Sequence, residues 1–263
     1  MHEETIEYNR VAWNRKVAVG NQWTRAVSAD EIARARAGRL ELVLTPLKPV
    51  PQEWLGDVAG KDVLCLACGG GQQAPLLAAA GATVTTLDLS EAQLEQDRSV
   101  ADREGLEIRL EQGDMRDLSR FGDQSFDLIF HPVSNCFIPD VQPVWDEAFR
   151  TLKSGGYLLS GFANPALYLF HLQGYEEGDL TVRYRLPYAD EEQLSQESLA
   201  KLKADGEPLE FGHTLESQIG GQIRAGFHLV GFYEDGDNST SLAQVCPTFM
   251  ATRTLRPAVY YPE

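Results

Sequence analysis

Apolar residues gather in short runs along the chain, at 63–67, 83–87, 126–130 and 157–162, each followed by a polar or glycine-rich stretch. Runs of this length bounded by turn residues predict strands. The near-continuous run Phe126-Asp127-Leu128-Ile129-Phe130 suits a parallel strand covered on both faces. Between 107 and 112, Ile108 and Leu110 alternate with polar neighbours and predict one more. Helical segments fall between the runs. An alanine- and leucine-rich stretch ends at Gly81, Ser90-x-x-Gln93 is a capping box opening a helix to about Glu104 before Gly105, and a helix from about Val141 to Leu152 stops at Ser154-Gly155-Gly156. Strands and helices alternating in this way predict an α/β sheet.

The flanks depart from this rhythm. Upstream, Tyr8, Trp13 and Trp23 give an aromatic character, Ser28-x-x-Glu31 opens a helix expected to reach about Val43, and Pro46, Pro49 and Pro51 make a stiff connector. Residues 163–212 are too long for a plain connection, and long insertions often line a site. They hold Tyr168, Phe170, Tyr175, Tyr184 and Tyr188, a possible strand at 180–186 and an acidic helix at 191–203. The alternation then resumes: Thr214 caps a helix to Ala225, a strand runs over 227–233, and a last one, paired antiparallel, over 249–255.

Composition narrows the function. The 263 residues carry 39 acidic against 23 Lys and Arg side chains, a net charge of −16 that repels phosphate backbones and argues against a nucleic-acid partner. The N-terminus MHEETIEYNR is polar, and no apolar run has the length of a membrane span, so no membrane attachment and a cytoplasmic address are expected. Four scattered cysteines predict buried thiols rather than disulfides. Cys65 and Cys68 form a CxxC, but three residues apart on a strand they should face opposite ways, so no metal site is expected. Asn238-Ser239-Thr240 fits a glycosylation sequon and reads as a turn.

The chemistry collects at one place. Strand C-termini of a parallel sheet share a rim, and there the glycines Gly69-Gly70-Gly71, then Asp88, Asp114 and His131, each follow a different strand. Glycines let the backbone approach a ligand closely, and a carboxylate at the next strand tip can accept both hydroxyl protons of a ribose. On VLCLACGGGQQ, TTLDLS, QGDMRDL, FDLIF and LKSGGYLLSG, the chain resembles the class I S-adenosylmethionine-dependent methyltransferases, nearest to the small-molecule branch with the ubiquinone/menaquinone-biosynthesis enzymes. The resemblance covers residues 62–162 well and 213–232 loosely.

It implies a Rossmann-like, doubly wound seven-stranded sheet with the last strand antiparallel. N-terminal helices and the insert would form a cap. The division would be 1–50 as a helical lid, 51–162 as the cofactor-binding core, 163–212 as insert and acceptor cap, and 213–263 as completion of the sheet. It implies S-adenosylmethionine as cofactor, S-adenosylhomocysteine as product, and a small-molecule acceptor. Ala67, Cys68, Gly69 and Gly71 would lie under the methionine part, Asp88 on the ribose, and Leu89 beside the adenine. Asp114 would accept from the adenine amino group with Met115 on the ring, and the His131 carbonyl would sit near the ammonium group. An acid often stands where this chain has Ala67, and the Asn-Pro-Pro-aromatic motif of amino-group methylases is replaced by His131-Pro132-Val133-Ser134.

Methyl transfer is an in-line displacement that needs a base only when the acceptor must lose a proton. His131 is the best-placed candidate by its rim position, ahead of His171, His213 and Asp140, each of which has an ordinary structural reading. Two rivals remain at this point. One is an NAD- or FAD-dependent oxidoreductase, although the third glycine of GxGxxG is missing. The other is a non-catalytic binding protein on the same fold.

Overall fold

The computed structural model describes residues 2–171, 178–237 and 240–258; Tyr175, Asn238 and Ser239 lie outside them. In chain order the elements that matter for function are α1 (His2–Ala18), α2 (Ala29–Arg36), α3 (Gln52–Leu55), β1 (Asp62–Leu66), α4 (Gln73–Ala79), β2 (Thr83–Asp88), α5 (Glu91–Glu104), β3 (Ile108–Gln112), β4 (Phe126–His131), α6 (Gln142–Thr151) and β5 (Leu152–Ala163). The insert adds β6 (Tyr188–Ala189), α7 (Asp190–Gln193), α8 (Gln196–Asp205) and β7 (Phe211–Gly212). After it come α9 (Gly221–Ala225), β8 (His228–Asp235) and β9 (Phe249–Leu255).

The main sheet has the order β3-β2-β1-β4-β5-β9-β8. Strands β1 to β5 pair in parallel, β9 runs antiparallel to β5, and β8 antiparallel to β9. The expected doubly wound sheet with its antiparallel final strand is what the chain forms. Its strand order reverses between β1 and β4, and a crevice opens above such a switch point.

The two-residue period of β1 explains the layering. Val63 and Cys65 join one core with Ile32 and Ala35 of α2 and Leu77 of α4. Leu64 and Leu66 join another with Val144, Trp145 and Ala148 of α6. Both faces are covered, so the strand is apolar throughout and all four residues are fully buried. Helix α5 ends as its sequence requires, with Gly105 at φ 64 in the left-handed conformation.

Three expectations change. The Ser28 capping box forms, but its helix ends at Arg36, because the chain turns through Gly38 at φ 79 and continues as extended backbone. Residues 180–186 make only a single bridge, Phe170 to Val182, since no neighbouring strand offers a ladder. The insert's small sheet is instead β6 paired with β7. Finally, Cys65 and Cys68 do not diverge. Ala67 takes φ 48 and turns the chain, so Cys65 stands beside Cys68 and, with burial, pushes its thiol pKa well up. Among the described residues no group of three or more His, Cys, Asp or Glu could hold a metal. No described helix is long and apolar enough to cross a membrane.

Among the side chains that join helix α1 to the insert, one is wholly buried. Asn9 is fully buried; its Nδ2 donates to the carbonyls of Phe137 and Leu209, both at 3.0 Å, and its Oδ1 accepts from the Leu209 N–H at 2.7 Å. Asn9→Ala strips a partner from three backbone groups, and leaving a buried polar group unpaired costs about 1–3 kcal/mol. The variant should therefore unfold at a lower urea concentration with an unchanged slope.

Candidate functional site

Above the switch point lies a cavity of about 710 Å³. One end is made by the glycine loop and the strand tips: Ala67, Cys68, Gly69, Asp88, Leu89, Asp114 and Met115 all line it. These are seven of the residues expected to form the cofactor site, and the fold brings them together. The other end is lined by Trp13, Phe137, Leu167, Tyr168, Glu210 and Phe249, drawn from α1, the β4–α6 connection, the insert and β9. A second, more open concavity lies by the first residues of β1 and β2, away from the strand tips.

The loop is held from below by two carboxylates. Asp88 Oδ2 accepts from the Gly69 N–H and Oδ1 from the Ser90 N–H, both at 2.9 Å. Burial raises its pKa to about 6 against the pull of those bonds. Asp97, on α5, accepts from the Gly71 N–H at 2.7 Å and is fully buried. Its burial raises the pKa to about 8, and the charge of Asp88 adds to the effect. Among the described residues, Asp97 Oδ2 and Thr86 Oγ1 have no hydrogen-bond partner.

The glycines are needed for space. A Cβ on Gly69 would come within 2.7 Å of Gln93 Cβ and 3.1 Å of the Asp88 carboxylate. Gly71 does not line the cavity and is tied to residues 26 and 27 instead. Its carbonyl accepts from the Val27 N–H at 2.8 Å, and a Cβ there would meet Ala26 at 2.9 Å. Gln72 Nε2 adds bonds to the carbonyls of Gln22 and Arg25 at 3.1 and 3.2 Å, so residues 22–27 are strapped onto the loop.

Ser90 caps α5 by accepting from the Gln93 N–H at 3.1 Å, but the box is half made. The Gln93 side chain lines the cavity, and its buried Oε1 lacks a partner among the described residues. An orphaned acceptor beside Asp88 suits the hydroxyls of a ribose. Asp114 is gripped by Arg116, whose Nε lies 3.1 and 3.0 Å from its two oxygens and whose Nη2 lies 2.6 Å from one of them. The spare lone pairs of that carboxylate are what an adenine amino group would use.

The His131 ring, the expected candidate base, does not line the cavity. It is fully buried, its Nδ1 donates to the Leu66 carbonyl at 2.9 Å, and its Nε2 lies 2.8 Å from Asn135 Oδ1. The ring packs edge-on against Trp145, and burial holds its pKa below the usual range. Pro132, Val133 and Ser134 line the cavity in its place. The ring is a core group, placed as its parity with Ile129 on β4 dictates. His213 is likewise committed, its Nε2 3.0 Å from the carbonyls of Asn135 and Ile138. Asp140 accepts from the Gln142 N–H at 3.0 Å at the start of α6, and His171 lies 6.5 Å from the Tyr184 ring.

A glycine loop roomy only for backbone, an acid at the β2 tip, an orphaned acceptor and this strand order define a nucleotide-type site. A profile of the methyltransferase domain family matches residues 64–160. The solved structure of an S-adenosylmethionine dependent methyltransferase from Mesorhizobium loti shares the fold, with a TM-score of 0.60 and 20% identity over 78% of this chain and 95% of that one. The chain belongs to the methyltransferase family, whose methyl donor is S-adenosylmethionine and whose product is S-adenosylhomocysteine. Within it, the methyltransferase YbaJ of Bacillus subtilis (strain 168) is 50% identical over 95% of this chain and 98% of its own. The ubiquinone biosynthesis O-methyltransferase of Pseudomonas fluorescens (strain Pf0-1) is 30% identical over 51% of this chain and 60% of its own.

The raised pKa of Asp97 gives a signed expectation. The folded chain holds this proton more tightly than the unfolded one, so its contribution is fully present below the ordinary Asp value of 3.8 and is lost as pH rises towards about 8. Asp97→Asn keeps an acceptor for the Gly71 N–H and cannot ionise. Its melting temperature should match the parent near pH 3.5 and exceed it by a margin that widens up to pH 9.

Proposed function

We propose that the protein transfers a methyl group from S-adenosylmethionine to a small-molecule acceptor held in the far end of the same cavity. The observation that carries this is continuity: one cavity runs from the glycine loop and Asp88 to the apolar walls at Trp13, Phe137 and Phe249. When bound, the sulfonium supplies an electrophilic methyl group. Asp88 and Gln93 would hold the ribose, Leu89, Met115 and Asp114 the adenine, and Ala67, Cys68 and Gly69 the methionine end.

Residues 1–50 and 163–212 would act as lid and acceptor cap, enclosing the reacting groups so that water is excluded and the acceptor is aligned. The net charge of −16 supports an acceptor other than a nucleic acid. Four free cysteines fit a cytoplasmic setting, where thiols stay reduced. The oxidoreductase and the non-catalytic binding protein have no observation in their favour: the loop lacks a third glycine, and the enclosed acceptor end has no use in a plain sensor.

Calorimetric titration with S-adenosylhomocysteine, S-adenosylmethionine and NADH tests the reading. Both adenosyl compounds should bind in the micromolar range, and Asp88→Ala should weaken them at least tenfold. Binding of NADH alone would overturn it.

A further inference from the structure

Beyond the residues assigned to the cofactor, the acceptor end of the cavity contains a carboxylate with no ion-pair partner among the described residues. Glu210 lines the wall just before β7. Its Oε2 accepts from the Tyr168 hydroxyl at 2.9 Å, and no Lys, Arg or His lies within 4.0 Å of it among the described residues. Its backbone is fixed by Asp190: the Glu210 N–H donates to Asp190 Oδ2 at 2.7 Å, and the Asp190 N–H donates to the Glu210 carbonyl at 3.1 Å. Asp190 is held in turn by the Tyr188 hydroxyl at 2.7 Å, and the Tyr188 ring stacks on Tyr168 at 5.4 Å. Tyr168 is wedged against Gly212, where a Cβ would meet its ring at 2.5 Å. The carboxylate is thus set rigidly and aimed by its neighbours.

The charged groups around it are mostly of its own sign. Asp190 faces it from α7, Glu207 from the loop before it, and Cys136 and Tyr168 from the cavity wall. Lys16 of α1 approaches, but its ammonium is paired with Glu207. Burial and then the charge of Asp190 lift the Glu210 pKa to about 7. A guest that relieves this site brings a positive charge or a proton, and a carboxylate or phosphate would be repelled. An ammonium on an apolar body does both things the cavity asks, pairing with Glu210 while its body lies on Ile6, Trp13 and Phe137.

We propose that Glu210, positioned by Tyr168 and Asp190, is the acceptor-binding carboxylate and general base of this cavity, and that the acceptor is an amine on an apolar body. This rests on the methyl-transfer reading above. The step balances without another reactant. The ammonium gives one N–H proton to the Glu210 carboxylate, and the freed nitrogen lone pair forms the N–C bond to the methyl carbon. The S–C bond breaks with its electron pair left on sulfur, and Glu210 releases its proton to solvent.

The test is calorimetry on the full chain saturated with S-adenosylhomocysteine, with benzylamine, benzyl alcohol and benzoate as probes. At pH 8 benzylammonium should bind at least tenfold tighter than benzyl alcohol, and benzoate should give no heat. Glu210→Gln, which can still accept from Tyr168, should weaken benzylammonium at least tenfold and leave benzyl alcohol and S-adenosylhomocysteine unchanged. Between pH 8 and pH 6 the parent should lose roughly tenfold in benzylammonium affinity as Glu210 takes up a proton, and the Gln variant should show no such loss. Asp190→Asn should move the midpoint of that profile to lower pH, a change that a purely structural role would not produce. Equal binding of benzoate, an unaffected Glu210→Gln variant, or no binding of any probe beside normal S-adenosylhomocysteine binding would overturn the inference. Failure of S-adenosylhomocysteine itself to bind would overturn the methyl-transfer reading, and this inference with it.

Discussion

The site depends on a pair of carboxylates buried beneath a glycine loop. Asp88 holds the N–H of Gly69 and Asp97 that of Gly71, so the loop's shape is written from below by two acids whose charged forms the interior disfavours. Burial without a cation raises the pKa of both groups. Between Gly69 and Gly71 the Gly70 N–H donates to the Gln93 carbonyl at 3.0 Å, so each backbone donor of the three glycines is held from the α5 side or the β2 tip. Ala67, at φ 48, is the strained entry into that turn.

Around this fixed centre the chain places everything variable. Residues 22–27 are strapped to the loop by Gln72 and by the Val27–Gly71 bond, so this N-terminal segment and the glycine loop are joined as one piece. The insert contributes an aromatic stack, Tyr168 on Tyr188 with Tyr184 at 5.3 Å, whose hydroxyls serve two acids facing the same region. The glycine loop and strand tips thus make one end of the cavity, and α1, the β4–α6 connection, the insert and Phe249 make the other.

The core was legible because its signals are local. The 63–67 run, three glycines and an acid at the next strand tip encode strand, turn and tip within one stretch, and the capping residues Ser28 and Ser90 act on the helix that follows them. The flanks were not legible, for the opposite reason. Residues 180–186 have strand-like composition, yet a strand exists only with a partner, and the fold provides none there. His131 was correctly expected at the rim of β4, and its side-chain direction was already given by alternation with Ile129, towards α6. Gln93 looked like half of a capping box and turned into the cavity. Glu210 carries no motif at all: only the packing of the insert against α1 brings it to the cavity.

That packing has a temporal side. Asn9 bonds to Leu209 across 200 residues of sequence, and Tyr8 reaches Glu207 across 199. Contacts so remote carry a large loop-closure cost, and they cannot form until the late part of the chain has left the ribosome. The β1–β2 unit and its loop, by contrast, span fewer than thirty residues. The glycine loop and Asp88 are therefore together in a nascent chain well before the far end of the cavity can close. The amino-terminal helix can settle early on α5, where Asn14 Oδ1 accepts from Ser90 Oγ at 2.7 Å, but it completes its contacts only when the insert arrives.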